Sequence, residues 1–263
     1  MQYFVALLCL LLAPYNLAAN PDHSRTYKAC GLPIYPPISW VENHQVKGVG
    51  AHLLQRLFSQ FDLTLSFEQD FNWQRCLKEM ELGNVDVATA MYKVADRQSY
   101  NYYLSTPIVK EPIVLFYNIH RPQNFESKTD LEGKILGVIL GDSYGDEMDQ
   151  WIESHMQVEY VSTGEQNFAK LIRERIDMMP LGRYGGQLQN ERLGYQDVIV
   201  PLKRPLTTDY WYIAVSKKSS IANLRAELDE ALQQITAQTD IGELMDEYAK
   251  QYRESAGLGD AHE

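Results

Sequence analysis

Arg97 lies between the apolar run Val85–Met91 and the Tyr103-Leu-Ser-Thr-Pro107 segment. A guanidinium just past the end of a buried strand can fork onto a carboxylate with two parallel hydrogen bonds, so this position points to capture of a small anion. Other reactive residue types form no comparable constellation. The six histidines, His23, His44, His52, His120, His155 and His262, show no metal-ligand spacing, and no nucleophile elbow occurs. Gly48-Val-Gly50 and Gly185-Gly186 read as helix starts and turns, not as phosphate loops. A charge of -11, from 24 Lys+Arg against 35 Asp+Glu, disfavours a nucleic-acid partner.

The elements that must position Arg97 are legible in the apolar periodicity. A strand over Thr26–Gly31 ends at the proline-rich loop Leu32–Pro37, which excludes helix and ladder alike. Val49, Leu53, Leu54, Leu57, Phe58 and Phe61 form a helical stripe within Gly48–Phe61, and Leu63–Phe67 alternates as a half-buried strand. A second helix over Asn72–Leu82 stops at Gly83-Asn84, before the strand Val85–Met91. This alternation predicts an α/β lobe with a mainly parallel sheet. A second cycle runs from Ile113–Tyr117 through the strand Gly133–Leu140, helices over Glu147–Ser154 and Glu165–Arg175, and strands near Val158, at Asp177–Leu181 and at Val198–Pro201. Tyr210–Val215 is a further strand. The stripe Ile221, Leu224, Leu228, Ala231, Leu232 and Ile235 is a long helix, continued through Tyr252.

The expected organisation is a leader at residues 1–19, one lobe from 20–113 with 208–255, a second lobe from 114–207, and a disordered tail at 256–263. The connections between lobes fall near Lys110–Tyr117 and Lys203–Tyr210. The leader reads as a secretory signal, since Gln2–Ala13 is apolar and Leu17-Ala18-Ala19 resembles a cleavage site. Its removal leaves Cys30 and Cys76 of the three cysteines, an even pair in an exported chain. A disulfide and two buried thiols are equally compatible with the sequence.

Taken in order, Tyr35-Pro36-Pro37, Gly48-Val-Gly50, Leu82-Gly83-Asn84-Val85-Asp86, Asp96-Arg97 with Tyr103-Leu-Ser-Thr-Pro107, Asp130-Leu-Glu-Gly-Lys-Ile-Leu-Gly-Val138 leading to Gly141-Asp142-Ser143, and Arg175-Ile-Asp177 resemble the family 3 extracellular solute-binding proteins. That resemblance implies an α/β, periplasmic binding protein type II-like fold, two α/β lobes joined by a two-segment hinge, closing on a ligand. It places Arg97 on a ligand α-carboxylate, with Gly141-Asp142-Ser143 reaching the same group from the other lobe at a helix N-terminus. Ser143 is the donor there and Asp142 a cap or a cleft residue. Ala90 and Tyr92 match cleft-lining positions. Tyr35 and Trp40 match the aromatic wall, although ordinary core packing is an equal reading for Trp40.

One departure stands out. Five positions past Asp177, where the family usually carries an acid for the ligand ammonium, this chain has Gly182, followed by Arg183. Either another acid substitutes, or the ligand is not an ordinary α-amino acid. On this reading Gly182→Asp would improve affinity for an α-amino acid. Arg183 is either a second positive contact or a solvated residue at a helix start. The leading expectation is a non-catalytic, monomeric periplasmic receptor without cofactor or metal, delivering a carboxylate-bearing solute to a membrane permease. A sensor module acting through a separate signalling protein is the alternative, and a dehydratase-type enzyme on the same fold the third reading.

Overall fold

The computed structural model describes residues 22–255 and 257. The expected leader and all but Gly257 of the expected tail lie outside the described residues. The chain opens with β1 (Thr26–Cys30), the short strands β2 (Ile34–Tyr35), β3 (Ser39–Glu42) and β4 (Gln45–Lys47), then α1 (Val49–Ser59), β5 (Thr64–Phe67), α2 (Trp73–Leu82), β6 (Val87–Met91), α3 (Ala95–Tyr100) and β7 (Asn101–Tyr103). β8 (Val109–Asn118) leads to the second lobe, which contains β9 (Ile135–Ile139), α4 (Asp146–His155), β10 (Gln157–Val161), α5 (Gly164–Ile172), β11 (Met179–Gly182) and α6 (Arg183–Leu193). β12 (Ile199–Ser216) returns to the first lobe, which α7 (Arg225–Ala237) and α8 (Ile241–Ser255) complete.

The main sheet has the order β11-β8-β12-β6-β1-β5, with β7 also on β12. β1 runs parallel to β5 and β6, as expected of strands joined by crossover helices. β12 is antiparallel to β6 and β8, so the sheet is mixed where a mainly parallel one was expected. The strands expected at Val198–Pro201 and Tyr210–Val215 are the ends of one 18-residue strand, whose register with β8 shifts between Pro201 and Thr207. This long β8–β12 ladder forms both connections between the lobes. β9 and β10 form a separate parallel pair in the second lobe.

Local chemistry explains most boundaries. α1 buries Val49, Leu53, Leu54, Leu57 and Phe58 on one face. α2 begins where the Asn72 side chain accepts the Arg75 N–H at 2.8 Å and ends on left-handed Gly83. Asp86 is fully buried at the start of β6; its carboxylate takes the Lys28 N–H, the Ser219 hydroxyl and the Arg25 guanidinium at 2.6–2.8 Å. Asp177 plays a structural part, accepting the Ile135 N–H at 2.7 Å and pairing with Arg121 at 2.8 Å.

Two elements differ from expectation. The loop after β1 is an antiparallel meander, in which Asn43 and His44 turn at φ 48° and 58° between β3 and β4. A two-residue turn with both φ positive suits the twist of a hairpin, and Asn tolerates that region better than most residues. Arg97 sits on α3, a short helix that the apolar periodicity did not predict.

Cys30 on β1 and Cys76 on α2 are joined by a disulfide with a Cα–Cα distance of 5.8 Å, pinning the helix to the sheet. The bridge spans 46 residues, for which the chain-entropy account gives about 4 kcal/mol, with typical measured values of about 2–4 kcal/mol. Cys30→Ala/Cys76→Ala is therefore expected to lower unfolding free energy by about 2–4 kcal/mol in urea titration. A loss below about 0.5 kcal/mol, within the range of inert surface changes, would show the bridge to be dispensable.

Candidate functional site

The lobes meet at a cleft whose wall includes Tyr35, Trp73, Tyr92, Arg97, Ile113, Asp142, Ser143, Tyr144 and Trp211. Four of the residues picked from sequence as ligand contacts in addition to Arg97 thus come together here: Tyr35, Tyr92, Asp142 and Ser143. β6 ends at Met91, which delivers Tyr92 and α3 to the cleft. β9 ends in the turn at Gly141, whose φ of 88° is accessible to glycine at little cost. Arg97 is 4% exposed. Its Nη1 donates to the Tyr92 carbonyl at 3.2 Å and its Nη2 to the Gly141 carbonyl at 2.6 Å, so the fork spans the two lobes. The Trp73 indole N–H donates to the same Gly141 carbonyl at 3.1 Å, and the guanidinium lies 5.5 Å from the Trp73 ring centroid. Asp146 of α4 caps α3 across the cleft, accepting the Ala95 N–H at 3.1 Å.

The interior is filled by aromatic rings. Tyr92 stacks on Trp211 at 3.8 Å between centroids, Tyr35 meets Trp211 edge-on at 5.0 Å, and the Tyr35 and Tyr92 hydroxyls are 3.4 Å apart. About 10 Å³ of open space remains, no more than a single water position. A larger groove of about 640 Å³ lies outside the cleft, where α6 and α8 flank the start of β8. It contains none of the residues expected to bind ligand, and its size alone gives it no chemistry.

The second-lobe loop also satisfies its own donors. The Ser143 hydroxyl donates to the Asp149 carboxylate of α4, and the Tyr144 N–H donates to the same carboxylate at 2.8 Å. The Ser143 hydroxyl, which the resemblance assigned to a ligand carboxylate, is thus taken by the carboxylate of Asp149. Asp142 keeps some exposure as a residue, but its carboxyl is enclosed by protein. Burial raises that carboxyl to about 7, against the pull of Arg97 and with a further push from Asp149.

Several expected contacts lie elsewhere. Trp40 is 1% exposed and packs with Leu188 and Tyr252, edge-on to Tyr248 and Tyr252, so it forms no wall of the cleft. The meander carries it away because β3 pairs with β2 and β4 and not with the main sheet. Ala90 is fully buried within β6 and is not one of the residues lining the cleft. Arg183 opens α6 as its alternative reading allowed; its guanidinium donates to the Lys203 carbonyl at 2.8 Å, which turns it away from a second anion contact.

Gly182 reaches the cleft only through its backbone, its N–H donating to the Tyr35 hydroxyl at 2.8 Å. A Cβ built there would clash with the Tyr35 hydroxyl and lie 2.7 Å from the Glu111 carboxyl. An acid cannot be added at 182 without displacing one of them, which removes the basis for expecting Gly182→Asp to improve affinity.

Glu111 was missed in the sequence. It is fully buried on β8, and among the described residues neither carboxylate oxygen closes a well-formed hydrogen bond. Burial raises it to about 7, while the N–H groups of Tyr184 and Arg183 and the Trp211 indole, which lean toward it without closing well-formed bonds, pull the other way. The available signal was alternation along β8: Val109, Glu111 and Ile113 are buried, whereas Lys110 is exposed. Among the described residues no His, Cys, Asp and Glu group could hold a metal ion, and no helix is long and apolar enough to cross a membrane.

Comparisons with known proteins agree with this architecture. The model for bacterial extracellular solute-binding proteins, family 3, matches residues 28–251. A variant of ArgBP from T. maritima superposes with a TM-score of 0.73 at 18% identity, covering 88% of this chain and 99% of that one. The amino acid ABC transporter substrate-binding protein AbpA from Streptococcus pneumoniae, bound to L-arginine, gives 0.72 at 14% identity, with 86% and 95% covered. A histidine kinase sensor domain with similarity to periplasmic binding proteins gives 0.73 at 16% identity, with 85% and 96% covered. A search of curated proteins yields no match. With the family model spanning nearly all described residues and the two-lobed fold in place around a buried arginine, the chain belongs to the bacterial extracellular solute-binding proteins, family 3.

Proposed function

We propose that this protein is a non-catalytic periplasmic receptor that captures a small carboxylate-bearing polar solute, an amino acid or related acid, between its lobes and presents it to an ABC-type permease. On this reading residues 20–113 with 208–255 form one lobe and 114–207 the other. The carrying observation is Arg97, buried at the cleft wall with its guanidinium hydrogen-bonded, among the described residues, by backbone carbonyls alone. A carboxylate offers that fork charge-assisted bonds roughly twice as strong as those of a neutral carbonyl. The arginine-bound AbpA supports an amino-acid ligand. The small residual cavity means that the lobes must part before a solute enters, so apparent affinity is reduced by the fraction of time spent closed.

The same filled cleft favours a second reading. A clamshell closed on its own side chains suits a sensor module that reports through a separate signalling protein, and the histidine kinase sensor domain has this fold. A thermal-shift screen of refolded mature protein against amino acids, amino-free carboxylates, dicarboxylates, polyamines and short peptides separates the two. A solute at a hundred times its dissociation constant adds about 2.7 kcal/mol, a clear rise in Tm, and is expected among the carboxylates. No shift across the panel would favour the sensor reading. Because Asp142 and Glu111 titrate near 7, where a general acid or base works, recovery of the solute unchanged is the accompanying check for binding over conversion.

A further inference from the structure

We infer that Glu111, reaching the base of the cleft from β8, supplies the acid that Gly182 lacks, and that it pairs with a cationic group, an ammonium in the simplest case, of the solute held by Arg97. This rests on the solute-binding reading above and specifies the second pole of the same site.

The argument begins with space. A Cβ on residue 182 would fall 2.7 Å from both Cδ and Oε1 of Glu111 and closer still to the Tyr35 hydroxyl, so the Glu111 carboxyl and that hydroxyl together fill the volume into which a side chain at 182 would project. The β11–β8 ladder makes this substitution geometrically direct. Gly182 is paired with Ile113, Ile113 lines the cleft, and Glu111, two residues away along β8, shares its face. A carboxylate can therefore be delivered to one place from either strand, and this chain uses the one adjoining the hinge.

The second observation is the state of the carboxyl itself. Glu111 is fully buried, yet among the described residues neither oxygen closes a well-formed hydrogen bond. Isolated buried carboxylates are strongly disfavoured, and native proteins retain them chiefly where a partner arrives or chemistry is done. The Arg183 guanidinium acts on Glu111 only through space, because its hydrogen bonds go to the carbonyls of Leu202 and Lys203. The Trp211 indole N–H leans toward the carboxyl without closing a well-formed bond, so the acid has weak neutral donors around it and no hydrogen-bonded cation among the described residues.

Access follows from the contact that covers Glu111. The Tyr35 hydroxyl lies against the same Gly182 position and accepts the Gly182 N–H at 2.8 Å. Tyr35 and Glu111 both belong to the first lobe and Gly182 to the second, so opening the cleft breaks this bond and withdraws Gly182 and the start of α6 from the carboxyl. A zwitterion entering the open cleft then meets Arg97 at one end and Glu111 at the base. An arriving cation favours the ionised carboxylate, which supplies the charge partner that burial alone denies it.

The test pairs L-amino acids with their des-amino counterparts as probes, using isothermal calorimetry on wild-type protein and on Glu111→Gln. Glu111→Met, similar in volume and uncharged, serves as a second variant, and a cooperative melt confirms that each is folded. The wild type is expected to prefer an amino acid over its des-amino partner. Glu111→Gln should bind that amino acid about ten- to hundredfold more weakly while changing des-amino binding by less than about twofold, as loss of one charge-assisted bond requires. Unchanged amino-acid affinity in both variants would overturn the role of Glu111 and leave the solute-binding reading intact. Wild-type preference for des-amino acids would do the same. Failure of the wild type to bind any probe would overturn the solute-binding reading, and this inference with it.

Discussion

Arg97→Ala is expected to abolish measurable binding of a carboxylate solute while the α/β fold stays assembled. Removing one partner of a buried, hydrogen-bonded charge pair costs about 2–5 kcal/mol, a loss of about thirtyfold to several thousandfold in affinity. The fold is expected to survive because the side chain supports no core contact that other groups cannot replace. Its two bonds go to the Tyr92 and Gly141 carbonyls, and these keep the Tyr103 hydroxyl at 2.9 Å and the Trp73 indole at 3.1 Å as donors. Arg97→Lys retains charge but loses the planar fork, so an intermediate loss is expected. Calorimetry with the strongest solute from the screen checks both, and undiminished affinity in Arg97→Ala would place the solute elsewhere. Because Arg97 also ties the lobes through Gly141, the alanine variant is expected to spend more time open, which separates its phenotype from that of Glu111→Gln.

Stability without solute is expected to fall as pH rises from about 4 to about 8, the reverse of the behaviour of a protein held by salt-bridged carboxylates. Asp142 and Glu111 have ordinary values of 3.8 and 4.5, and burial raises both to about 7. The folded protein therefore binds more protons than the unfolded chain across this interval. Each contribution is fully present below the unfolded value and disappears as pH passes through the folded value. A shift of this size corresponds to a few kcal/mol per group, of order 3 kcal/mol, by pH 8. Asp22 and Glu81, held below their ordinary values by Ser24 and Lys78 respectively, are exposed and act only at lower pH. Urea unfolding of the wild type, Asp142→Asn and Glu111→Gln at pH 5, 6, 7 and 8 measures the effect. The wild-type slope should be negative, and each variant should flatten it by its own share. A flat wild-type profile would mean that water reaches both carboxyls. A solute cation beside Glu111 should reduce the slope further, which ties this measurement to the site.

The elements that build the lobes were readable because each carries its reason locally. The stripe of α1, the Asn72 cap and Gly83 stop of α2, and the apolar run of β6 depend on neighbours a few residues away. Arg97 was readable for the same reason, as a charge following a buried strand. α3 was not, since six residues are too few to show a stripe. The β3–β4 hairpin was masked by the prolines that precede it, although Asn43 offered a turn signal.

By itself the sequence determined the alternation of strands and helices, the family, the anion-seeking arginine and the glycine at 182, all set by residue type, spacing and order. Tertiary structure alone decided who partners whom. Cys30 found Cys76 because α2 lies against β1. Trp40 left the cleft because its strand joined a separate meander. Ser143 and Tyr144 turned to Asp149 when α4 brought that carboxylate beneath them. Glu111 came to stand in front of Gly182, 71 positions further along the chain, because β8 and β11 are neighbours in one antiparallel ladder. Hydrogen-bond registry between distant strands is a property of the assembled sheet, and no local pattern encodes which acid it carries to the base of the cleft.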